Sequence, residues 1–389
     1  MNTKLNLKIT VLILGFLLAV SCKEKKDENS TSKDETATVE TYSNPIDVEF
    51  GDPYVLNDGN GKFYMYGTGG GAKDGFATYS SRDLINWKPE GQVYKGNTED
   101  SWAKSAFWAP EVYKFDNKYY MFFSANWKKN PTNEDENFKI GVAVADSPTG
   151  PFKELQDRPL IDPGYPIIDA NVFKDDDGKF YLYYSRACYK HPVKSEIADL
   201  AKEKGWFDKI EESWVYGVEL KPDFKGVIGE PKLLLRPPLS LDDKNAEWES
   251  RSVTTQEVNR RWTEGSYTFK HEDTYYIMYS ANYFGGENYA VGYATGPSAL
   301  GPFTKADNNP ILEKNTPQGG KVTGTGHNSL VFLKNPDRIY CVYHGRTQES
   351  GKQRVVFIDR MKILDSGELK VEGPTTGEQP MPLVKKNGL

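Results

Sequence analysis

The chain has 389 residues, of which 27% are charged and 13% aromatic, with 35 glycines and 23 prolines; these are the proportions of a folded, turn-rich protein and exclude a disordered or fibrous one. Its formal net charge is −6 and its body has no long basic run, which excludes an electrostatic nucleic-acid footprint. Four histidines without an HExxH pattern do not suggest zinc chemistry, and three cysteines in a chain of this length do not make a disulfide scaffold.

In chain order, Lys4 and Lys8 precede a 12-residue apolar run over 9–20, too short to span a bilayer, and the run ends in Ser21-Cys22. Residues 1–21 resemble a bacterial lipoprotein signal, with Cys22 as the lipidated residue and new N-terminus. Leu18 lies four residues before the cysteine instead of the usual three, and ordinary secretory cleavage nearby is the alternative. Residues 22–41 contain almost no large apolar side chain and cannot offset the entropy of ordering, so they are expected to form a flexible tether. The expected location is outside the cytoplasm, on a bacterial outer membrane at its periplasmic or cell-surface face, with the lipid anchor as the sole membrane contact. Once Cys22 is lipidated, Cys188 and Cys341 remain, and the sequence leaves their pairing open.

From residue 42 to 389 the chain repeats one hairpin. "DPYVLNDGNGKFYMYGTG" from Asp52, "APEVYKFDNKYYMFFSAN" from Ala109, "DANVFKDDDGKFYLYYSR" from Asp169, "EGSYTFKHEDTYYIMYS" from Glu264 and "HNSLVFLKNPDRIYCVYHGR" from His327 each place a polar turn between two runs of β-branched and aromatic residues. "DDDG" at 175–178 resembles the start of a calcium loop, but it lacks the rest of that pattern and sits where a hairpin turn belongs. Small-apolar strands ending in Ser/Gly/Pro turns follow at 76–87, 140–152 and 289–303, giving about four strands per repeat. Five such repeats without a convincing long amphipathic helix predict an all-β fold, a five-bladed β-propeller in one domain. A β-sandwich would not predict five strand starts in one register.

Aligned on their first core residues, the hairpins place Asp52, Ala109, Asp169, Glu264 and His327 at one equivalent position, spaced 57, 60, 95 and 63 residues apart. The spacing implies an insertion of about 35 residues in the third repeat. If the first strand of each hairpin is innermost, three carboxylates and an imidazole face one central cavity. Coupled carboxylates in a pocket mark a functional site, although strand-end capping or a structural ion would also account for them. The chemistry most natural to the set is glycoside hydrolysis, with one carboxyl kept protonated and another ionised. No Ser or Cys elbow for acyl transfer is present.

"FGDPYV" with Asp52, "FWAPEVY" with Trp108 and Glu111, "PIIDANVF" with Asp169, "WTEGSYTFK" with Glu264, "GTGHNSLV" with His327 and "YHGR" with Arg346 together resemble glycoside hydrolase family 43, the inverting five-bladed propeller enzymes. The resemblance implies Asp52 as the general base, Asp169 as the pKa modulator and Glu264 as the general acid. Inversion further requires the base and acid to stand about 6.5–9.5 Å apart. It implies that Arg346 hydrogen-bonds sugar hydroxyls, with a salt bridge to a ring carboxylate as the alternative. His327 resembles the histidine that faces the axis, often beside a calcium ion, so a structural calcium in the central channel is one reading and a hydrogen-bonded channel residue the other. No cofactor is required for the reaction. Phe107 and Trp108 are candidates for an apolar wall under a sugar, or plain core aromatics. Glu111 reads as structural, paired with a buried cation.

The third-repeat insertion, placed around 188–250, includes "SEIADLAKEKGWFD", a candidate short helix, and "VYGVELKPDFKGVIGEPKLLL". An addition over a propeller face walls the cavity mouth and favours exo action. The implied substrate is an oligosaccharide or polysaccharide of plant or algal origin that yields a terminal pentose, β-D-xylose ahead of α-L-arabinofuranose. An α-L-arabinofuranosidase or endo-arabinanase on the same scaffold is the alternative. A surface sugar-binding propeller without turnover predicts loss of one of the three carboxylates, and all three are present. A retaining fructan-cleaving propeller predicts "NDPNG", where this chain has "GDPYV".

Overall fold

The computed structural model describes residues 40–187, 193–203, 205, 209–240, 242–251, 258–334 and 337–382. The expected signal, Cys22, nearly all of the tether and Cys188 lie outside these residues. Cys341 is a buried free thiol in the second strand of the last repeat. Glu40 and Thr41, placed in the tether by the sequence reading, already pair with the chain's other end: Met381 N–H donates to Glu40 O at 2.9 Å, and the strand Thr41–Tyr42 runs antiparallel to Gln379–Pro380.

Five four-stranded antiparallel sheets follow in sequence, with innermost strands Phe50–Asn57, Trp108–Phe115, Ile167–Lys174, Thr263–His271 and Thr323–Lys334. Each blade packs on the next through its own apolar cluster. Tyr54, Phe76 and Phe123 join blades 1 and 2, Phe122 and Tyr184 join blades 2 and 3, and Tyr183 and Tyr279 join blades 3 and 4. Met278 and Tyr343 join blades 4 and 5, and Phe50 and Val342 join blade 5 back to blade 1. Five interfaces between five blades close a ring, the five-bladed β-propeller expected from the repeats. The segment after Thr41 helps to close it: Tyr42 Oη and Asn44 Nδ2 donate to Ile358 O at 2.8 and 3.0 Å, and Ile46 N donates to Val356 O at 3.0 Å.

In blade 3 the boundaries of the insertion differ from expectation. Trp214–Leu220 and Val227–Leu235 are the third and fourth strands of the blade itself. The added material is instead a small separate sheet of Val193–Lys194, Lys209–Glu212 and Val258–Arg261, with the expected short helix at Ala198–Glu203. The "DDDG" segment forms the turn between Ile167–Lys174 and Phe180–Arg186. Leucine-rich "KLLL" resembled an inserted element because an outermost strand, exposed on most of its length, lacks the strict alternation of a half-buried one.

Every innermost strand breaks register at an equivalent place: between Gly51 and Tyr54, Trp108 and Glu111, Ile168 and Asn171, Glu264 and Tyr267, and Gly326 and Ser329, the fifth strand having a second break between Thr323 and Gly326. Within each bulge one residue takes a left-handed φ: Asp52 at 53°, Ala109 at 45°, Asp169 at 60°, Gly265 at 58° and His327 at 49°. The shared position inferred from sequence is therefore correct in four blades and one residue off in the fourth, where Gly265 occupies it and Glu264 precedes it. Each non-glycine residue held there costs on the order of 1–2 kcal/mol, strain of the kind that clusters at functional sites.

Candidate active site

The bulge leaves the amide of each ring residue out of its own ladder, and a buried amide needs an acceptor. The second strand of the preceding blade supplies it. Thr68 Oγ1 accepts from Ala109 N at 2.9 Å, Ser124 Oγ from Asp169 N at 2.9 Å, and Ser280 Oγ from His327 N at 2.7 Å. At Asp52 the acceptor is His344 Nδ1, at 3.1 Å. At Gly265 it is the carboxylate of Asp169, whose Oδ2 lies 3.2 Å from the amide, while Ser185, at the equivalent second-strand position, has no partner for its hydroxyl among the described residues.

These contacts bring Asp52, Asp169, Glu264 and His327 to one cavity of about 520 Å³, whose lining also includes Trp108, Glu136, Phe138, Ile168, Ala187, Trp262, Tyr283, Phe284 and Arg354. One wall is apolar: Trp108 packs on Phe138 at 4.6 Å, and both join Ile168, Ala187 and Trp262. Ala187 and Trp262 flank the inserted sheet in the chain. Tyr283 and Phe284 stand at the exposed rim, 36% and 43% accessible.

Asp52 is buried yet ionised. Burial pushes its carboxyl up, but Arg354 Nη1 at 2.7 Å from Oδ1, His327 Nδ1 at 3.2 Å and the hydroxyl of Thr68 at 2.5 Å from Oδ2 outweigh it and hold the carboxyl well below the usual range. Gly51 makes room for that cation, because a Cβ there would lie 1.9 Å from Arg354 Cζ. Glu264 has the opposite balance. Burial raises it to about 7, helped by the charge of Asp52 and opposed by a 2.8 Å hydrogen bond from Tyr289 and by Arg354. Asp169 also rises to about 7, through burial and the charges of Glu264 and Asp52, against His327 and the Gly265 amide. One carboxyl is thus kept as an anion and another kept protonated near neutrality, the pairing that acid–base cleavage needs.

Not every expected residue reaches the cavity. Phe107 does not line it; its ring packs 6.1 Å from Phe76 and Tyr94 in the core between blades 1 and 2. Arg346 is buried beside the cavity, with Nε donating to Lys352 O at 3.2 Å and Nη1 without a partner, and the salt bridge to a ring carboxylate is made by Arg354 instead. Glu111 is held by the Tyr113 hydroxyl and by Asn171 Nδ2 at 2.9 Å, neutral donors in place of the expected cation, and burial pushes it up to about 8. Among the described residues no three His, Cys, Asp or Glu side chains gather to hold a metal, and His327 Nδ1 is turned to Asp52. The donor set beside His327 therefore does not fit a protein-built calcium site.

The sequence reading missed Arg354, Tyr289, His344, Trp262 and the Tyr283–Phe284 rim. Of these, Trp262 stands in the quoted motif "WTEGSYTFK", two residues before Glu264, and His344 in "YHGR"; the others carried no local signal.

The family model described as glycosyl hydrolases family 43 matches residues 42–369. Among curated proteins, a β-D-galactofuranosidase of Aspergillus niger is 28% identical over 76% of this chain and 73% of its own length. A xylosidase/arabinosidase of Bacteroides ovatus is 29% identical over 71% of this chain and 76% of its own. Among solved structures, a thermostable family-43 glycoside hydrolase is 35% identical with a TM-score of 0.73, covering 88% of this chain and 99% of that one.

Proposed function

The chain belongs to glycosyl hydrolases family 43, and from that premise we propose that it is an exo-acting, inverting glycosidase that releases a terminal pentose from plant or algal polysaccharide fragments, β-D-xylose before α-L-arabinofuranose. The observation that carries this reading is the divergence of two buried carboxyls in one cavity, Asp52 held ionised and Glu264 raised to about 7. Relatives named xylosidase/arabinosidase and β-xylosidase support the pentose. The apolar wall of Trp108, Phe138 and Trp262, with Tyr283 and Phe284 at the rim, supports binding of a chain end.

In this mechanism Asp52 accepts a proton from water as that water attacks the anomeric carbon, and Arg354 and His327 stabilise the anion beforehand. Glu264 gives its proton to the departing oxygen, and Asp169 fixes the backbone beside it through the Gly265 amide. No cofactor enters. The basic limb of the pH–activity profile should lie near pH 7, where Glu264 loses its proton. The reading extends to an exported, lipid-anchored enzyme, supported by the apolar run over 9–20 and Cys22. Radiolabelled palmitate incorporated by the wild type and absent from Cys22→Ala would establish the anchor.

The test is hydrolysis of aryl β-D-xyloside and aryl α-L-arabinofuranoside by the wild type, Asp52→Asn and Glu264→Gln, with the first-formed anomer identified by proton NMR. Turnover of neither substrate sinks the pentose, a product of retained configuration sinks inversion, and full activity of Glu264→Gln sinks the acid assignment.

A further inference from the structure

One buried aromatic layer beneath the cavity is not used by the mechanism above. Tyr289, fully buried, donates its hydroxyl to Glu264 Oε1 at 2.8 Å. Its ring stacks on His344 with centroids 5.5 Å apart and planes 16° apart. His344 is also fully buried, and its Nδ1 accepts from the amide of Asp52 at 3.1 Å. With Nδ1 as the acceptor, the neutral ring has its proton on Nε2, which has no hydrogen-bond partner among the described residues. Tyr289 therefore touches the acid and His344 the base, and the two rings lie face to face.

The slot that holds Tyr289 is built for it. Gly326 is the cross-strand partner of His344, and a Cβ at Gly326 would lie 2.2 and 2.3 Å from Tyr289 Cε1 and Cδ1. Gly326 does not have a left-handed φ, so what it provides is space and not backbone freedom. His344 is itself the exception in its ring. The corresponding residues of the other blades are Thr68, Ser124, Ser185 and Ser280, and only the blade preceding Asp52 has a flat ring on which another can stack.

We propose that Tyr289, seated on His344 in the slot left by Gly326, is a positioning residue that ties the general acid Glu264 to the general base Asp52 and sets the acid's proton affinity. The proposal rests on the roles given to Asp52 and Glu264 above. The groups that act on Glu264 are Tyr289 from its own blade, Asp52 from blade 1 and Arg354 from blade 5; Asp169, from blade 3, and His327, from blade 5, face the same cavity. Tyr289 stays protonated, because burial and the nearby carboxylates push its hydroxyl well above its ordinary value, so it acts only as a donor. A donor stabilises the carboxylate form of Glu264, and removing it raises the proton affinity of the acid.

The experiment uses the full-length protein and two readouts. Infrared difference titration follows the protonated-carboxyl band, assigned to Glu264 by its loss in Glu264→Gln. The pH profile of kcat/KM on an aryl pentoside follows the same group during turnover. Tyr289→Phe keeps the ring and the stack but lacks the hydroxyl; it should move the Glu264 titration and the basic limb up by about 1–2 pH units, the worth of one hydrogen bond to a carboxylate, with the acidic limb unmoved. Gly326→Ala expels the ring and should move both limbs, because Asp52 then loses the support of its amide acceptor. An unchanged Glu264 titration in Tyr289→Phe overturns the proposal, and so does a uniform loss of activity with both limbs in place. If Gly326→Ala does not fold, Tyr289→Phe decides alone. If the wild type cleaves no aryl pentoside, the substrate reading has failed while the infrared titration still decides this one.

Discussion

Replacing Arg354 with methionine removes the cation 2.7 Å from Asp52 Oδ1 and leaves the Thr68 hydroxyl and His327 as the carboxylate's remaining side-chain contacts within 3.5 Å. The Asp52 side chain is 9% exposed and that of Arg354 18%, so solvent screens the pair only weakly. A charge-assisted hydrogen bond in such a setting contributes about 1.5–3 kcal/mol. At about 1.4 kcal/mol per unit, its loss should raise the Asp52 carboxyl by about 1–2 pH units. The sign follows from the direction of the native shift. A carboxyl held low contributes stability above its unfolded pKa and loses it as the pH falls through the folded value, and the base works only when ionised. In Arg354→Met the acidic limb of kcat/KM should therefore move up into the measurable range, and Arg354→Lys should restore part of the shift. Gly51→Ala provides a second route to the same state, since its Cβ would displace the guanidinium without removing any charge. The measurement is kcat/KM on an aryl pentoside from about pH 2 to 8, with circular dichroism confirming the fold at each pH. An acidic limb that stays put in both variants, whatever happens to the rate, would refute the electrostatic account of Arg354.

Two further sets of substitutions probe the scaffold. Ser124→Ala removes the acceptor of the buried Asp169 amide and should cost about 1–3 kcal/mol in urea unfolding, whereas Ser185→Ala, which removes a buried hydroxyl with no partner, should stay within about 0.5 kcal/mol; equal losses would contradict the amide relay. Glu212→Gln breaks the ion pairs to Arg261, at 3.0 Å with both side chains fully buried, and to Arg236, at 2.9 Å, and should cost about 3–5 kcal/mol. Glu212→Gln with an unchanged thermal melting point would show that the pair does not hold the strands Lys209–Glu212 and Val258–Arg261 of the inserted sheet together.

The propeller was legible because its signal is redundant: five hairpins share turn chemistry and alternation, so errors in any one of them do not accumulate. The site was legible only where function coincides with the repeat. Asp52, Asp169 and His327 occupy the bulge position and fall out of the alignment, whereas Glu264 stands one residue before it. A period-two pattern cannot show a one-residue bulge, and aligning Tyr267 with Val55 instead of Tyr54 conceals the slip. Arg354 begins neither a hairpin nor an inner strand, and reaches Asp52 only because Gly51 lacks a side chain. Arg346, chosen for its place in "YHGR", lies eight residues before Arg354, which immediately precedes the strand Val355–Ile363, and nothing local distinguishes the two arginines.

The same hydrogen-bond requirement that makes the ring also explains why its chemistry sits where it does. Each bulge exposes an amide, and in three blades a Ser or Thr from the preceding blade satisfies it, Thr68 among them donating onward to Asp52. The two exceptions are the amides that touch the reaction. At Asp52 the acceptor is an imidazole, long enough to stack under Tyr289 and so to reach the acid. At Gly265, beside the acid, the acceptor is the carboxylate of Asp169, which leaves Ser185 idle. A structural need repeated five times is met twice by groups that also link the three carboxyls. The acid can then stand one residue off the ring, because the neighbouring amide, and not the acid's own, is what the scaffold holds.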